Sequence, residues 1–410
     1  KYCIIHYRFR DFHVHAAIFF VGILPFFQVH IVWHHCIHCG KSLSGIRRGT
    51  MAEIEIKDLK KQFGDFVAVT NSNLTIRDGD FFVLLGPSGC GKTTTLRMIA
   101  GLEFPTHGKI FLDTEDITFL RASQRNIAFV FQMFALYPHM NVEKNIGFPL
   151  KTQGTRRSEI KKRVLEVAEL LHLDNVLKSN VSALSGGDKQ RVALGRAIIR
   201  RPKAFLMDEP LGSLDAEFRE LMSYELKKMH NDIDATTVYV THDQNEAMAM
   251  GDRIGIMDKG VMLQADDPLT IYNKPRAKFV GSFIGSPAMN FIDVNASVQK
   301  GSTSVKINGS QLTVPQCHES SNIDFNYLGI RPENIRIVDD GNIKGAVYGV
   351  EYLGANKIIT VDTEFGRIKA RTPSVINAKI GDNVGLEFDA NSIIIFNGDD
   401  ETAIKSQFMN

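Results

Sequence analysis

The chain has 410 residues, too many for one domain of ordinary size and enough for two or three. Its 44% hydrophobic and 23% charged residues are ordinary globular usage, which excludes wholesale disorder and a polytopic membrane protein. A net charge of +2 gives no reason to expect a nucleic-acid partner.

Residues 1–50 stand apart. They hold seven of the thirteen His, three of the five Cys and the only Trp, Trp33. Six Lys and Arg against one Asp give the segment +5 and leave the rest of the chain at −3. The first methionine is Met51, and a well-patterned strand, AEIEIKDL, starts directly after it. The segment is therefore expected to be translated upstream sequence and not a domain. Its stretch AAIFFVGILPFFQVHIVW runs for only about a dozen residues to Gln28, with Pro25 inside that run and His30 soon after, whereas a spanning helix needs ~20. HHCIHC offers His34, His35, Cys36, His38 and Cys39, but one C-x-x-C without a distant second pair is a weak zinc signal. Cys90 and Cys317 are far apart and point to reduced thiols in a cytosolic protein.

From Met51 onward, EIEIKDL, VAVTNSNLTI and FFVLLG read as strands, the last buried on both faces. KTTTLRMIAGL is an amphipathic helix ended by Gly101. NIAFVFQ (126–132) is another buried strand. SEIKKRVLEVAELLHL predicts a helix with Ser158 as N-cap and Ile160, Val164, Leu165, Ala168 and Leu171 on one face. KAFLMDEP and TTVYVTHD return to parallel-sheet patterning, and RIGIMDKG turns back as a hairpin edge. After about residue 285 short strands follow at close intervals (LGIRPENIRIV, GAVYGVEYLG, KIITVDT, RIKARTP, VGLEFDANSIIIF), which predicts a small all-β barrel or sandwich.

GPSGCGKTT runs from Gly86 through Pro87, Ser88, Gly89, Cys90, Gly91, Lys92 and Thr93 to Thr94. It fits G-x-x-x-x-G-K-[ST] after a buried strand and at the start of a helix. Such a loop wraps backbone N–H groups around a phosphate, with Lys92 on the β/γ oxygens and Thr93 offering a hydroxyl to Mg²⁺. AFLMDEP supplies two carboxylates at a strand end. Successive strand side chains point opposite ways, so Asp208 suits the metal shell and Glu209 the attacking water. Phe63 is an aromatic able to stack on a purine. Gln132 and His242 alone would be unremarkable, but each follows the phosphate loop at a strand end. LSGGDKQR presents a second candidate cradle at a helix N-terminus, in Ser185, Gly186 and Gly187.

The succession GPSGCGKT, FVFQ, LSGGDKQR, FLMDEP, LGSLD and VYVTHD resembles the ATP-binding subunit of an ABC transporter, across residues 51–410. The resemblance implies an α/β fold: a P-loop ABC ATPase domain (51–284) with a helical subdomain (about 137–195), then a small all-β OB-like regulatory domain (285–410). It implies ATP and Mg²⁺ as cofactors and explains the second cradle, since Ser185 and Gly187 would cap a γ-phosphate held by another subunit. Phe63 would stack on adenine, Gln132 would link metal and water to the membrane partners, Asp215 would lie in the inter-subunit loop, and His242 would sense the γ-phosphate. Asp188 and Lys189 stand where relatives often have Gln or Glu and a basic residue, and Gly212 where bulkier residues are common. DPLTIYNKPRAKFVGSFIGSPAMNFI followed by LGIRPENI resembles the importers of carbohydrates and glycerol phosphates; polyamine and inorganic-anion importers share this layout. The implied partners are a second copy or close paralogue, two transmembrane permease subunits and, indirectly, a solute-binding protein. The implied place is the cytoplasmic face of the bacterial inner membrane. A non-transport ABC ATPase is the rival, yet the chain has one ATPase unit and no strongly basic arm.

Overall fold

The computed structural model describes residues 3–9, 12–18, 52–131, 135–212, 216–233, 235–307, 310–321, 323–341 and 343–409. They belong to two units, Lys1–Gly49 and Thr50–Asn410. In the first, β1 (Cys3–Phe9) and β2 (Phe12–Ile18) form an antiparallel pair. HHCIHC and the apolar run beyond residue 18 lie outside the described residues.

The second unit opens with β3 (Ile54–Phe63) and β4 (Phe66–Ile76), a hairpin turned at Gly64. β5 (Phe81–Leu85) is buried along its whole length. Phe81, Val83 and Leu85 face one core while Phe82 and Leu84 face the other, which is why its apolar run is continuous. α1 (Lys92–Ala100) ends where Gly101, at φ 71°, turns its N–H back to the Met98 carbonyl. β6 (His107–Leu112) and β7 (Glu115–Asp116) complete an antiparallel sheet of order β4-β3-β6-β7.

β8 (Ile127–Val130) is shorter than the predicted 126–132. Three helices follow: α2 (Val142–Thr152), α3 (Arg157–Leu170) and α4 (Gly186–Ile198). α3 differs from expectation in two ways. Its N-cap is Arg156, so Ser158 sits inside the first turn, and Leu165 is 47% exposed. Val164, Ala168 and Leu171 are buried as expected, and Val167 joins them in place of Leu165. The helical period was legible, but its phase is set by what α3 packs against.

β9 (Ala204–Asp208), α5 (Ala216–Ile233), β10 (Thr236–Thr241), α6 (Gln244–Met250), β11 (Arg253–Asp258) and β12 (Val261–Asp266) then finish a six-stranded sheet of order β12-β11-β5-β10-β9-β8. Five strands are parallel and β12 alone is antiparallel. The edge of the predicted hairpin is thus β12, with β11 paired on both sides. The parallel strands place the loops after β5, β9 and β10 at one end of the sheet, where ligands of such folds bind.

Two short helices, α7 (Pro268–Asn273) and α8 (Lys278–Phe283), lead into the all-β part. It contains β13 (Asn290–Val294), β14 (Ser304–Ile307), β15 (Ser310–Thr313), β16 (Asn326–Ile330), β17 (Ile335–Val338), β18 (Ile343–Leu353), β19 (Asn356–Thr363), β20 (Gly366–Pro373), β21 (Asn383–Phe388) and β22 (Ile394–Asn397). The main sheet has order β17-β21-β18-β19-β20, and its edges β17 and β20 approach each other, curling it toward a barrel. No helix among the described residues is long and apolar enough to cross a membrane.

Candidate functional site

The loop between β5 and α1 is shaped by two glycines. A Cβ on Gly86 would lie 2.2 Å from the Met257 carbonyl oxygen. Gly91 has φ 104°, and its Cβ would meet the Ala68 carbonyl oxygen at 2.5 Å. Around this turn Lys92 is buried, and its Nζ donates to the carbonyls of Gly86 and Pro87, each at 2.8 Å. Cys90 is buried as well, and burial pushes its thiol up from the ordinary value. Ser88 and Gly89 are exposed at the mouth of the loop, with Thr93 and Thr94 half-buried behind them in the first turn of α1. The first N–H groups of a helix lack intrahelical acceptors, so this turn suits an anion.

Asp208 ends β9 on the same face as Ala204 and Leu206, the face covered by α1. Its Oδ1 accepts from Thr93 Oγ1 at 2.9 Å. Burial raises the Asp208 carboxyl above the usual range, a shift that the Thr93 hydrogen bond opposes. Glu209 lies outside β9, in the left-handed region at φ 44°. Its N–H still donates to the Val240 carbonyl at 3.0 Å. The divergence of the two carboxylates therefore comes from a left-handed turn and not from strand alternation, as the sequence suggested. A non-glycine residue held in that region carries local backbone strain. Glu209 Oε1 is 3.3 Å from Nδ1 of His242, which is half exposed just beyond β10.

Phe63 closes β3 with 46% of its surface exposed, and the Lys61 ammonium sits 4.6 Å from its ring centre. Ser185 is the N-cap of α4: its Oγ accepts from the Asp188 N–H at 3.1 Å and donates to Asp188 Oδ2 at 2.8 Å. Arg191 binds the other Asp188 oxygen at 2.6 Å, and that pairing, followed by Ser185, holds the Asp188 carboxyl below its usual range. Gly186 is exposed and Gly187 buried. Among the described residues no hydrogen bond or ion pair joins Ser185–Gly187 to the loop of Gly86–Thr94. Gln132 and Asp215 lie outside the described residues.

Sequence reasoning missed the support beneath His242. Glu246 is buried, and its Oε2 accepts from Tyr239 Oη at 2.8 Å and Thr241 Oγ1 at 2.7 Å. Burial pushes both the Glu246 carboxyl and the Tyr239 phenol up. Arg219 reaches Asp243 at 3.3 Å and Glu246 at 3.6 Å. An acid between Asn245 and the apolar Ala247 and Met248 was the available signal.

Comparison with known proteins bears on this arrangement. The ABC transporter family pattern matches residues 69–212, and the TOBE domain pattern matches 328–396. The chain is 44% identical over 362 residues to the osmoprotective compounds uptake ATP-binding protein GgtA of Synechocystis sp., covering 86% of this chain and all of that one. It is 44% identical over 377 residues to the trehalose/maltose import ATP-binding protein MalK of Thermococcus litoralis, covering 87% and 100%. It is 39% identical over 364 residues to the sn-glycerol-3-phosphate import ATP-binding protein UgpC 1 of Rhizobium johnstonii, covering 88% and 98%. Among solved structures, CbiO1 of Clostridium perfringens superposes with a TM-score of 0.50 at 24% identity, over 53% of this chain and 89% of that one, which speaks for the fold.

Proposed function

The chain belongs to the ABC transporter family as an ATP-hydrolysing subunit that energises solute import, and from that premise we propose which residues do the work and for what solute. The backbone N–H groups of Gly86–Gly91 and the Lys92 ammonium take the phosphates, Lys92 exchanging its two carbonyl partners for phosphate oxygens. Phe63 stacks on the adenine. Glu209 takes the proton from the attacking water, and His242 contacts the γ-phosphate and orients Glu209.

The residues fit Mg²⁺. Thr93 and Asp208 bring two hard oxygen donors within 2.9 Å of each other, and a cation would offset the buried charge that raises the Asp208 carboxyl. Gln132 would join them. When bound, Mg²⁺ supplies charge neutralisation on the phosphate oxygens.

The observation that carries this reading is the convergence of Lys92, Thr93, Asp208, Glu209 and His242, from three parallel strand ends, around one glycine-shaped loop. Ser185–Gly187, an exposed helix start without a link to that loop, serves the ATP held by a second copy or a close paralogue. Two permease subunits bind the helical subdomain, residues 137–195, so the chain works peripherally at the cytoplasmic face of the membrane. Residues 51–284 hold the ATPase and 285–410 regulate it. The solute is a sugar or glycerol phosphate, supported by the names of two relatives; selectivity lies in the permeases and a separate binding protein.

The test is uptake by proteoliposomes holding the full chain with its co-purified permease subunits. ATP-driven accumulation of maltose, trehalose or glycerol 3-phosphate is expected, and Lys92→Met should abolish it. ATP hydrolysis by such a complex without movement of any of these solutes would overturn the assignment of solute class.

A further inference from the structure

We infer that Gln244 and Arg331 are positioning residues for His242, so that the C-terminal β part of the chain helps set the γ-phosphate end of the ATP site. The inference rests on the role of His242 proposed above.

Its basis is one peptide unit. The Ile284 carbonyl accepts from Arg331 Nη1, and the N–H of the next residue, Gly285, donates to Gln244 Oε1 at 2.8 Å. Both bonds belong to the same plane, which resonance keeps rigid, so displacing one end moves the other. Gln244 opens α6 two residues after His242. Arg331 directly follows β16. The ATP site and the β part are thus joined through a single peptide.

Arg331 is built to hold its end. Arg331 is only 2% exposed, and burial lowers its pKa from the ordinary value. It remains paired because it also donates to the Gly281 carbonyl at 3.1 Å and twice to the Tyr272 carbonyl, at 3.1 Å from Nε and 2.7 Å from Nη2. It lies 4.1 Å from the Tyr272 ring centre, and the Tyr272 hydroxyl donates to Glu333 at 2.7 Å. Gly285 cannot be replaced without moving this arrangement. It has φ 114°, and a Cβ would lie 2.9 Å from Arg331 Nη1 and 3.1 Å from the Pro287 carbonyl oxygen.

On the inner side Glu246 grips Thr241 and Tyr239, while Arg219 spans Asp243 and Glu246. The turn carrying His242 is therefore held from the core by Glu246 and from the β part by the Gly285 N–H. Releasing the second contact lets the first turn of α6 shift. A displacement of about 1 Å at a reacting group can cost as much as 10²-fold in rate, without changing how substrate binds.

The experiment measures steady-state ATP hydrolysis and equilibrium nucleotide binding by the full chain. Gln244→Leu removes the acceptor at nearly constant size and should lower kcat roughly tenfold with KM for ATP and nucleotide affinity unchanged. Gln244→Glu keeps an oxygen facing the Gly285 N–H and should restore kcat. Arg331→Met should act like Gln244→Leu, and the double variant should be no worse than the more damaged single one, since both act through one peptide. If Arg331→Met does not fold, the two variants of half-buried Gln244 decide alone. His242→Ala separates the two readings. If it abolishes turnover while Gln244→Leu keeps kcat, the positioning inference is wrong and the role of His242 stands. If His242→Ala itself turns over normally, the role of His242 is wrong and the inference goes with it.

Discussion

Glu209→Gln is the sharpest perturbation of the ATP site, because it changes a proton acceptor and little else. Glutamine keeps the side-chain length and an oxygen that can face His242 Nδ1, at the present 3.3 Å. The backbone at φ 44° is no worse for Gln than for Glu. The pair it replaces involves a half-exposed imidazole, so its loss costs under about 1 kcal/mol, a melting shift of no more than about 4 °C. Loss of the general base, in contrast, raises the barrier by about 3–5 kcal/mol, or ~10²–10⁴ in rate. Phosphate release should collapse while nucleotide titration shows affinity retained, since Lys92, Thr93 and Asp208 are untouched. ATP would then stay between the loop of one subunit and Ser185–Gly187 of the other, and size-exclusion chromatography with ATP should show a dimer that dissociates when nucleotide is removed. Adding Ser185→Arg should abolish that dimer by filling the exposed start of α4. Near-normal turnover by Glu209→Gln would refute the assignment of the base, and a persistently monomeric ATP-bound variant would refute the shared site.

Gly91→Ala should destabilise the fold by at least about 2 kcal/mol and abolish nucleotide binding, because its Cβ would meet a backbone oxygen at 2.5 Å; thermal melting and titration check both. Asp208→Asn should lose metal–nucleotide affinity yet melt no lower than the parent at neutral pH. Burial raises the Asp208 carboxyl in the folded chain, so its charge destabilises the fold above that raised pKa. The advantage of Asn should shrink as pH falls through the raised value and vanish below the ordinary aspartate range; a melting series across acid pH tests the sign. A chain starting at Met51 should bind and hydrolyse ATP as the full chain does, and loss of either activity would refute the reading of residues 1–50 as dispensable.

Local chemistry determined much of this protein before any tertiary contact was known. The glycine spacing of GPSGCGKT can form only a tight loop, the buried strands β5 and β9 announce themselves as apolar runs, and Gly101 must end α1. Each depends on neighbours a few residues away, so sequence carries it directly. The β-rich texture after residue 285 was legible for the same reason. Tertiary structure decided the rest. The phase of α3, which buries Val167 and leaves Leu165 outside, depends on which surface the helix meets. The left-handed turn at Glu209 is held by the Val240 carbonyl on the neighbouring strand, which no alternation rule could supply. Glu246 becomes a buried anchor only because Tyr239 and Thr241 point at it. The pairing of Gly285 with Gln244 spans 41 residues and that of Arg331 with Ile284 spans 47. Periodicity reports which residues share a face, whereas the partner of that face is set by chain closure over distances at which local pattern carries no information.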